Sequence, residues 1–209
     1  MHVEHDSAIR RVFSAAGVSA PDEFVLASAN HLDAVYRTNR AISLTAIPEA
    51  DAAELLVFDA VAPILSIAKP TEFLDIGSGA GFPGLMLALW WQDVRASLVD
   101  SHRKKASFLE IATTGFDTTP EILNCRAEEL VMSKKTWPFV TSRATFPPTV
   151  LMEMVLPLIS IVGSALLYMS TRSTAEFEEI LRLFSNISVQ RIDYSLPTHG
   201  QRSAVLIDT

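Results

Sequence analysis

The chain has 209 residues, 49% of them hydrophobic and 20% charged, which is the composition of a folded domain with ample material for a core. Its single cysteine, Cys125, excludes an internal disulfide framework and a cysteine-rich zinc site and suits a reducing compartment. The formal charge of −7 means that any nucleic-acid partner has to be met by cations gathered locally, because affinity for phosphates comes largely from such contacts. The polar, acidic start from Met1 to Asp6 does not read as a signal peptide, and the longest apolar run, Leu85 to Trp91, is too short to cross a bilayer. The expectation is a soluble cytoplasmic protein.

Residues 1–68 read as helical. Ser7 to Ala16 is amphipathic and stops at Gly17. Asp22 to Arg37 carries Phe24, Leu26, Ala27, Leu32, Val35 and Tyr36 at roughly helical spacing. Pro48 opens a third helix, with Leu55, Leu56, Phe58, Val61 and Leu65 as its buried stripe; proline suits a first helical position because its missing N–H would be unpaired there. From residue 72 the texture changes to alternating strands and helices. Strands are predicted at Phe73–Ile76, Ala96–Val99, Glu121–Asn124, Phe139–Thr141 and Ser164–Ser170. The helices between and after them are predicted at Phe82–Trp91, Lys104–Thr114, Ala127–Val131, Thr149–Ile161 and Ala175–Phe184. Ile187–Tyr194 and Ala204–Ile207 read as a closing hairpin around Pro197–Gly200. Such alternation implies an α/β fold with a mostly parallel, doubly wound sheet.

The strongest local signal is Asp75-Ile76-Gly77-Ser78-Gly79-Ala80-Gly81-Phe82-Pro83-Gly84, between a strand and a helix. Glycines let the main chain turn tightly and leave it bare for a ligand, and the following helix offers free N–H groups and a partial positive charge. A dinucleotide fingerprint, G-x-G-x-x-G, needs glycine at position 82; Phe82 stands there, and the pattern is G-x-G-x-G. S-adenosylmethionine (SAM) has no pyrophosphate to seat; in enzymes that use it the methionine end lies near such a loop, where Asp75 could receive the ammonium directly or through water. Asp100, at the end of the second strand, either accepts from the ribose hydroxyls of an adenosine or caps the helix starting near Ser101 to Arg103. Following the glycine loop at this spacing, the ligand role is favoured.

Four ordered motifs then carry a resemblance: Phe73 to Leu87, Val99 to Leu109, Arg126-Ala127-Glu128-Glu129-Leu130, and Thr141-Ser142-Arg143-Ala144. Together with Thr38-Asn39-Arg40-Ala41-Ile42-Ser43-Leu44-Thr45, which is similar to a "WNKxxNLT" stretch, they resemble the RsmG/GidB family over roughly residues 30–170. Members of that family are SAM-dependent methyltransferases that modify guanine N7 in 16S ribosomal RNA. The resemblance implies a Rossmann-like class I methyltransferase domain at 69–209. Its sheet would end in an antiparallel C-terminal strand, with an N-terminal helical extension, 1–68, packed on it. It implies that Gly77, Ser78, Gly79 and Phe82 form the cofactor loop, that Asp100 holds the ribose, and that Ala127 and Glu128 flank the adenine. Arg143 would sit beside cofactor and base, positioning them, unless it is a structural ion pair. The implied cofactor is SAM and the implied partner is 16S rRNA or a small-subunit precursor, met by a monomer away from any membrane.

Guanine N7 carries a lone pair and no proton, so attack on a sulfonium methyl asks for alignment rather than a base. No catalytic triad, metal or nucleophilic cysteine is expected, and Cys125 reads as a small buried residue. Arg103, Lys104, Lys105 and Arg126 are the candidate RNA-binding cations; Lys134 and Lys135 read equally well as solvated side chains. The family's "RHxxDS" appears here as Leu55-Leu56-Val57-Phe58-Asp59-Ala60, and its "LKG" as Tyr168-Met169-Ser170-Thr171. These departures keep two alternatives open: a SAM-dependent methyltransferase of another substrate, and a non-catalytic binding protein of the same fold.

Overall fold

The computed structural model describes residues 2–116, 119–143, 153–169 and 187–209. Helix α1 spans His2–Ala15 and α2 spans Asp22–Asn39. Pro21 precedes α2, and Asp22 and Glu23 in its first turn complement the positive end of the helix. The two helices are joined by a buried contact of 2.8 Å between His5 Nδ1 and Asp33 Oδ1. Along α2, Phe24, Val25, Ser28, Ala29 and Leu32 face inward. Leu26, expected in that stripe, is 58% exposed, since a step of 100° per residue turns position 26 away from a face set by 25, 28, 29 and 32.

The third helical segment is not one regular helix. A 3-10 turn at Glu49–Asp51 leads into a π-helical stretch, Ala53–Phe58, then the short α3, Asp59–Val61, and a second 3-10 turn, Ala62–Ser66. Widening of this kind shifts the buried stripe: Ala53, Leu56, Val57, Phe58, Ala60, Val61 and Ile64 are buried, Leu55 is half-buried, and Leu65 is 45% exposed, contrary to expectation.

Seven strands are described: β1 Glu72–Ile76, β2 Arg95–Val99, β3 Glu121–Leu123, β4 Trp137–Arg143, β5 Ile159–Met169, β6 Ser188–Leu196 and β7 Gly200–Asp208. They form one sheet in the order β3-β2-β1-β4-β5-β7-β6. The first five are parallel to one another; β7 is antiparallel to both β5 and β6. Helices α4 Gly84–Trp91, α5 Arg103–Ala112 and α6 Ala127–Ser133 connect the strands. On one side of the sheet, Phe13, Phe24, Leu32, Phe58, Leu85, Met86 and Phe139 belong to a single apolar cluster, so the N-terminal helices and α4 share a core. A smaller cluster on the other side contains Leu74, Ile76, Trp137, Val140 and Ile207.

β5 begins at Ile159, earlier than expected, so the helix read through to Ile161 is corrected. Pro157 ends that helical texture in a 3-10 turn, and the β-branched Ile159, Ile161 and Val162 continue as strand. The expected helix at Ala175–Phe184, and Thr149 to Met152 of the preceding one, lie outside the described residues. No helix among the described residues is long and apolar enough to cross a membrane.

Candidate active site

The strand order reverses its growth at β1, with β2 on one side and β4 on the other. Ligands settle at the carboxyl ends of strands flanking such a point, where the connections diverge. A cavity of about 370 Å3 opens there. It is lined by Ile76 and Gly77 after β1, Val99 and Asp100 after β2, Ala127 and Glu128 at the start of α6, and Arg143 at the end of β4.

The glycine loop is held by its own main chain. Gly77, Gly79 and Gly81 have φ of 74°, 58° and 99°, a region that side chains with a Cβ rarely adopt. The amides of Gly77 and Ser78 both donate to Val99 O, at 2.8 and 2.9 Å, while Gly81 and Phe82 donate to Ser78 O. Gly79 N–H donates to Asp100 Oδ2 at 2.9 Å. These loop donors are committed within the protein, and what Gly77 presents to the cavity is bare backbone, as the glycine pattern implies. Ser78 and Phe82 are buried, Ser78 Oγ donating to Asp75 O at 3.0 Å; neither they nor Gly79 line the cavity.

Asp75 lies beneath the loop, fully buried. Its Oδ2 accepts the N–H of Gly84, the first residue of α4, at 3.1 Å, while Oδ1 has no hydrogen-bond partner. Burial pushes its carboxyl up to about 7; the nearby Ser78 hydroxyl, the Gly84 amide and the positive charge of Arg143 oppose the shift, and the negative charge of Asp100 adds to it. Only glycine fits at 84, because a Cβ there would collide with the Asp75 carboxylate and stand 2.5 Å from Leu98 Cδ2. Gly84→Ala is expected to cost about 2–3 kcal/mol by overpacking, seen as a lowered melting temperature.

Asp100 is buried at the cavity floor. Besides Gly79, it accepts the His102 amide through Oδ1 at 2.7 Å, and His102 Nδ1 lies 3.1 Å from the same oxygen. Both roles weighed for it thus meet in one group: it orders the turn into α5 and it faces the cavity.

Arg143 is tied to the irregular third segment. Its Nη1 donates to Leu55 O at 3.2 Å and lies 3.7 Å from Asp59 Oδ2, and its guanidinium sits 5.8 Å from the Phe82 ring centroid. Tyr194 on β6 donates to Asp59 Oδ1 at 2.9 Å. Burial raises the Asp59 carboxyl, and the Arg143 charge and the Tyr194 hydroxyl oppose it. The ion pair and the cavity position, posed as alternatives for Arg143, coexist. Asp59 and Tyr194 carried no role in the sequence reading; the kept acid of the "RHxxDS" stretch was the one signal for Asp59, and only the fold brings Tyr194 to it. Leu56, which stands at that motif's histidine position, is 2% exposed, so this departure lies in the core rather than on a substrate-facing surface.

The candidate cations divide. Lys105 and Arg126 line the cavity, whereas Arg103 and Lys104 line a separate groove. Lys135 is 4.0 Å from Glu121 and 4.7 Å from the Trp137 ring centroid. Cys125, expected to be buried, is half-buried and lines the cavity; burial and the nearby Glu129 charge push its thiol up, so it is held protonated.

The family described as "rRNA small subunit methyltransferase G" (GidB) matches residues 27–205. The ribosomal RNA small subunit methyltransferase G of Lactococcus lactis subsp. cremoris strain MG1363 is 32% identical over 186 residues, covering 81% of this chain and 76% of its own. The protein of that name from Streptococcus pneumoniae serotype 19F strain G54 is 30% identical over 182 residues, with the same shares covered. Among solved structures, a putative O-methyltransferase from Klebsiella pneumoniae superposes with a TM-score of 0.66 at 14% identity, covering 100% of this chain and 99% of the other. An O-methyltransferase from Bacillus cereus in complex with SAH gives 0.64 at 14%, with both chains fully covered (100% each). At that identity the structures speak to the fold, which is the one expected from the strand and helix alternation.

Proposed function

We propose, from the premise that this chain belongs to the rRNA small subunit methyltransferase G (GidB) family, that its cleft binds SAM and that it methylates guanine N7 of 16S ribosomal RNA, as a cytoplasmic monomer acting on the small subunit or its precursor. The observation that carries this reading is the family match across nearly the whole chain, coinciding with a cavity at the sheet's switch point.

The residues present fit the cofactor. Asp75 lies fully buried beneath the loop and does not line the cavity; its unpartnered Oδ1 would serve the ligand's ammonium through water or after a small shift of the loop, and burial without a partner is costly. Asp100 is an acceptor suited to ribose hydroxyls, Gly77 leaves the floor bare, and the first-turn amides of α6 at Ala127 and Glu128 have no partners inside their helix and suit an adenine edge. SAM supplies an electrophilic methyl group on a sulfonium. The protein's part is to hold the acceptor in line with it and to exclude misaligned approaches. Arg143, anchored by Leu55 O and Asp59 and bordering the cavity, orients the incoming base.

The test is methyl transfer from labelled SAM to small subunits purified from cells lacking this modification, with the site mapped by mass spectrometry. One methyl on a guanine of 16S rRNA, at N7, is expected. Transfer to no RNA, with SAM nonetheless bound, would overturn the assignment.

A further inference from the structure

Beside the cleft, on the opposite side of the first turn of α5, α2 and α5 enclose a second and larger depression of about 720 Å3. Its apolar lining includes Ile42, Phe108 and Ile111, and Ile111 stands 77% exposed. Its rim carries Arg37 from α2 and Arg103 and Lys104 from α5. Among the described residues, no carboxylate lies within ion-pair distance of any of the three, and none of the residues lining the groove is acidic. That local surplus stands out in a chain with 24 acidic and 17 basic residues.

From this charge pattern we infer that the groove is a docking site for a single-stranded segment of the RNA substrate. An apolar lining ringed by unpaired cations matches the two faces of an unpaired strand, whose bases seek a dry platform and whose phosphates seek positive charge. A groove for a protein helix would show a similar lining without needing the uniform sign of the rim. The next residue of the same turn, Lys105, lines the cavity, so the groove and the cavity lie on either side of one helical turn and a strand seated on Arg103 and Lys104 has one turn to cross to reach the cleft. The groove sets where the substrate is gripped, and the cleft sets where it is methylated. This inference rests on the reading of the cleft as an rRNA methyltransferase site.

The test compares the full-length chain with the triple variant Arg37→Ala, Arg103→Ala, Lys104→Ala and, separately, with Ile111→Glu. The probe is an unmethylated 16S rRNA transcript carrying 4-thiouridine, bound at a series of salt concentrations and then photo-crosslinked. The triple variant is expected to lose affinity for the transcript about tenfold or more, and the slope of log affinity against log salt to fall by about 2, at roughly 0.7 per phosphate contact on a single strand. Crosslinks in the wild type should map to Ser107–Ala112 and vanish in Ile111→Glu, while SAM titration and thermal unfolding stay as in the wild type. Unchanged affinity and slope in the triple variant would overturn the groove assignment even if rRNA is methylated. A chain that pairs with its own copy through Ile111, seen by sedimentation, would overturn it as well. Conversely, groove crosslinks without methyl transfer would leave the groove standing and sink the reading of the cleft.

Discussion

Alanine at Asp100 is expected to weaken SAM binding about 100-fold, the loss of two charge-assisted hydrogen bonds at roughly 1.5–3 kcal/mol each with part of it recovered by water. The same change removes the acceptor of the Gly79 and His102 amides and should lower the melting temperature of the free protein by several degrees, at about 1 kcal/mol per broken bond. Asp100→Asn separates the two losses. Its side-chain oxygen still accepts one backbone N–H, so much of the stability returns, but its NH2 group cannot accept from a ribose hydroxyl. Calorimetric titration with SAM and thermal unfolding on the same samples read both. If Asp100→Ala unfolds earlier yet binds SAM as the wild type does, the carboxylate is a turn-former only, and the cleft does not hold an adenosine in this orientation.

That double duty shows how far the sequence reaches. A strand, a glycine cluster, a helix and a second strand ending in an acid are local patterns. Alternation implies parallel strands with their carboxyl ends at one edge of the sheet, and the pairing of β1 with β2 brings Gly77 and Asp100 to neighbouring strand ends. What pattern reading could not supply is how the loop spends its hydrogen bonds. The donors at Gly77, Ser78 and Gly79 turn inward to Val99 O and Asp100, which only the three-dimensional turn decides. The third helical segment was hidden for a related reason. Apolar residues there run almost without interruption, so periodicity cannot register a π-helical shift, and Leu65 was assigned to a stripe that had already rotated past it. Links between distant residues were beyond reach altogether: Asp59 to Arg143 and Tyr194, or Arg37 to Arg103 and Lys104 across one groove, are made by packing of elements far apart in the chain. A basic triplet at 103–105 looks like one patch in sequence. On a helix, a 100° step per residue turns its members to different faces, and two cavities divide them.

Asp75 makes the sharpest prediction about pH. Its carboxyl is raised by burial to about 7 from an ordinary 3.8, so the free protein holds the proton below neutrality. An ammonium brought to Asp75, directly or through water, favours the ionised form and displaces that proton. SAM affinity should therefore rise with pH, by up to tenfold per unit below about pH 7, level off, and fall again above about pH 8 as the ligand's own amine loses its proton. Calorimetry in buffers of different ionisation enthalpy should show about one proton released per SAM bound at pH 6 and a net uptake at pH 8.5, where the ligand's own amine has to regain its proton. Stability runs the other way. A carboxyl whose folded value lies above its unfolded one favours folding at low pH and loses that contribution as pH rises from about 4 through 7. Asp75→Asn keeps an acceptor for the Gly84 amide and carries no charge to bury. It should be more stable than the wild type at pH 8, less whatever the unsatisfied NH2 costs at the Oδ1 position, yet bind SAM far more weakly and without the Asp75 pH dependence. His31 supplies a counterweight: burial lowers it to about 4 from 6.5, with its Nε2 bonded at 2.6 Å to Ala80 O in the same loop. Its contribution is present above pH 6.5 and lost as pH falls toward 4, opposing that of Asp75 across that interval. Removing Asp75 should therefore expose a loss of stability on acidification that the wild type partly masks. A variant that gains stability while losing affinity would identify the buried acid as a group held at a folding cost for its ligand; one that loses both would make it a helix cap and nothing more.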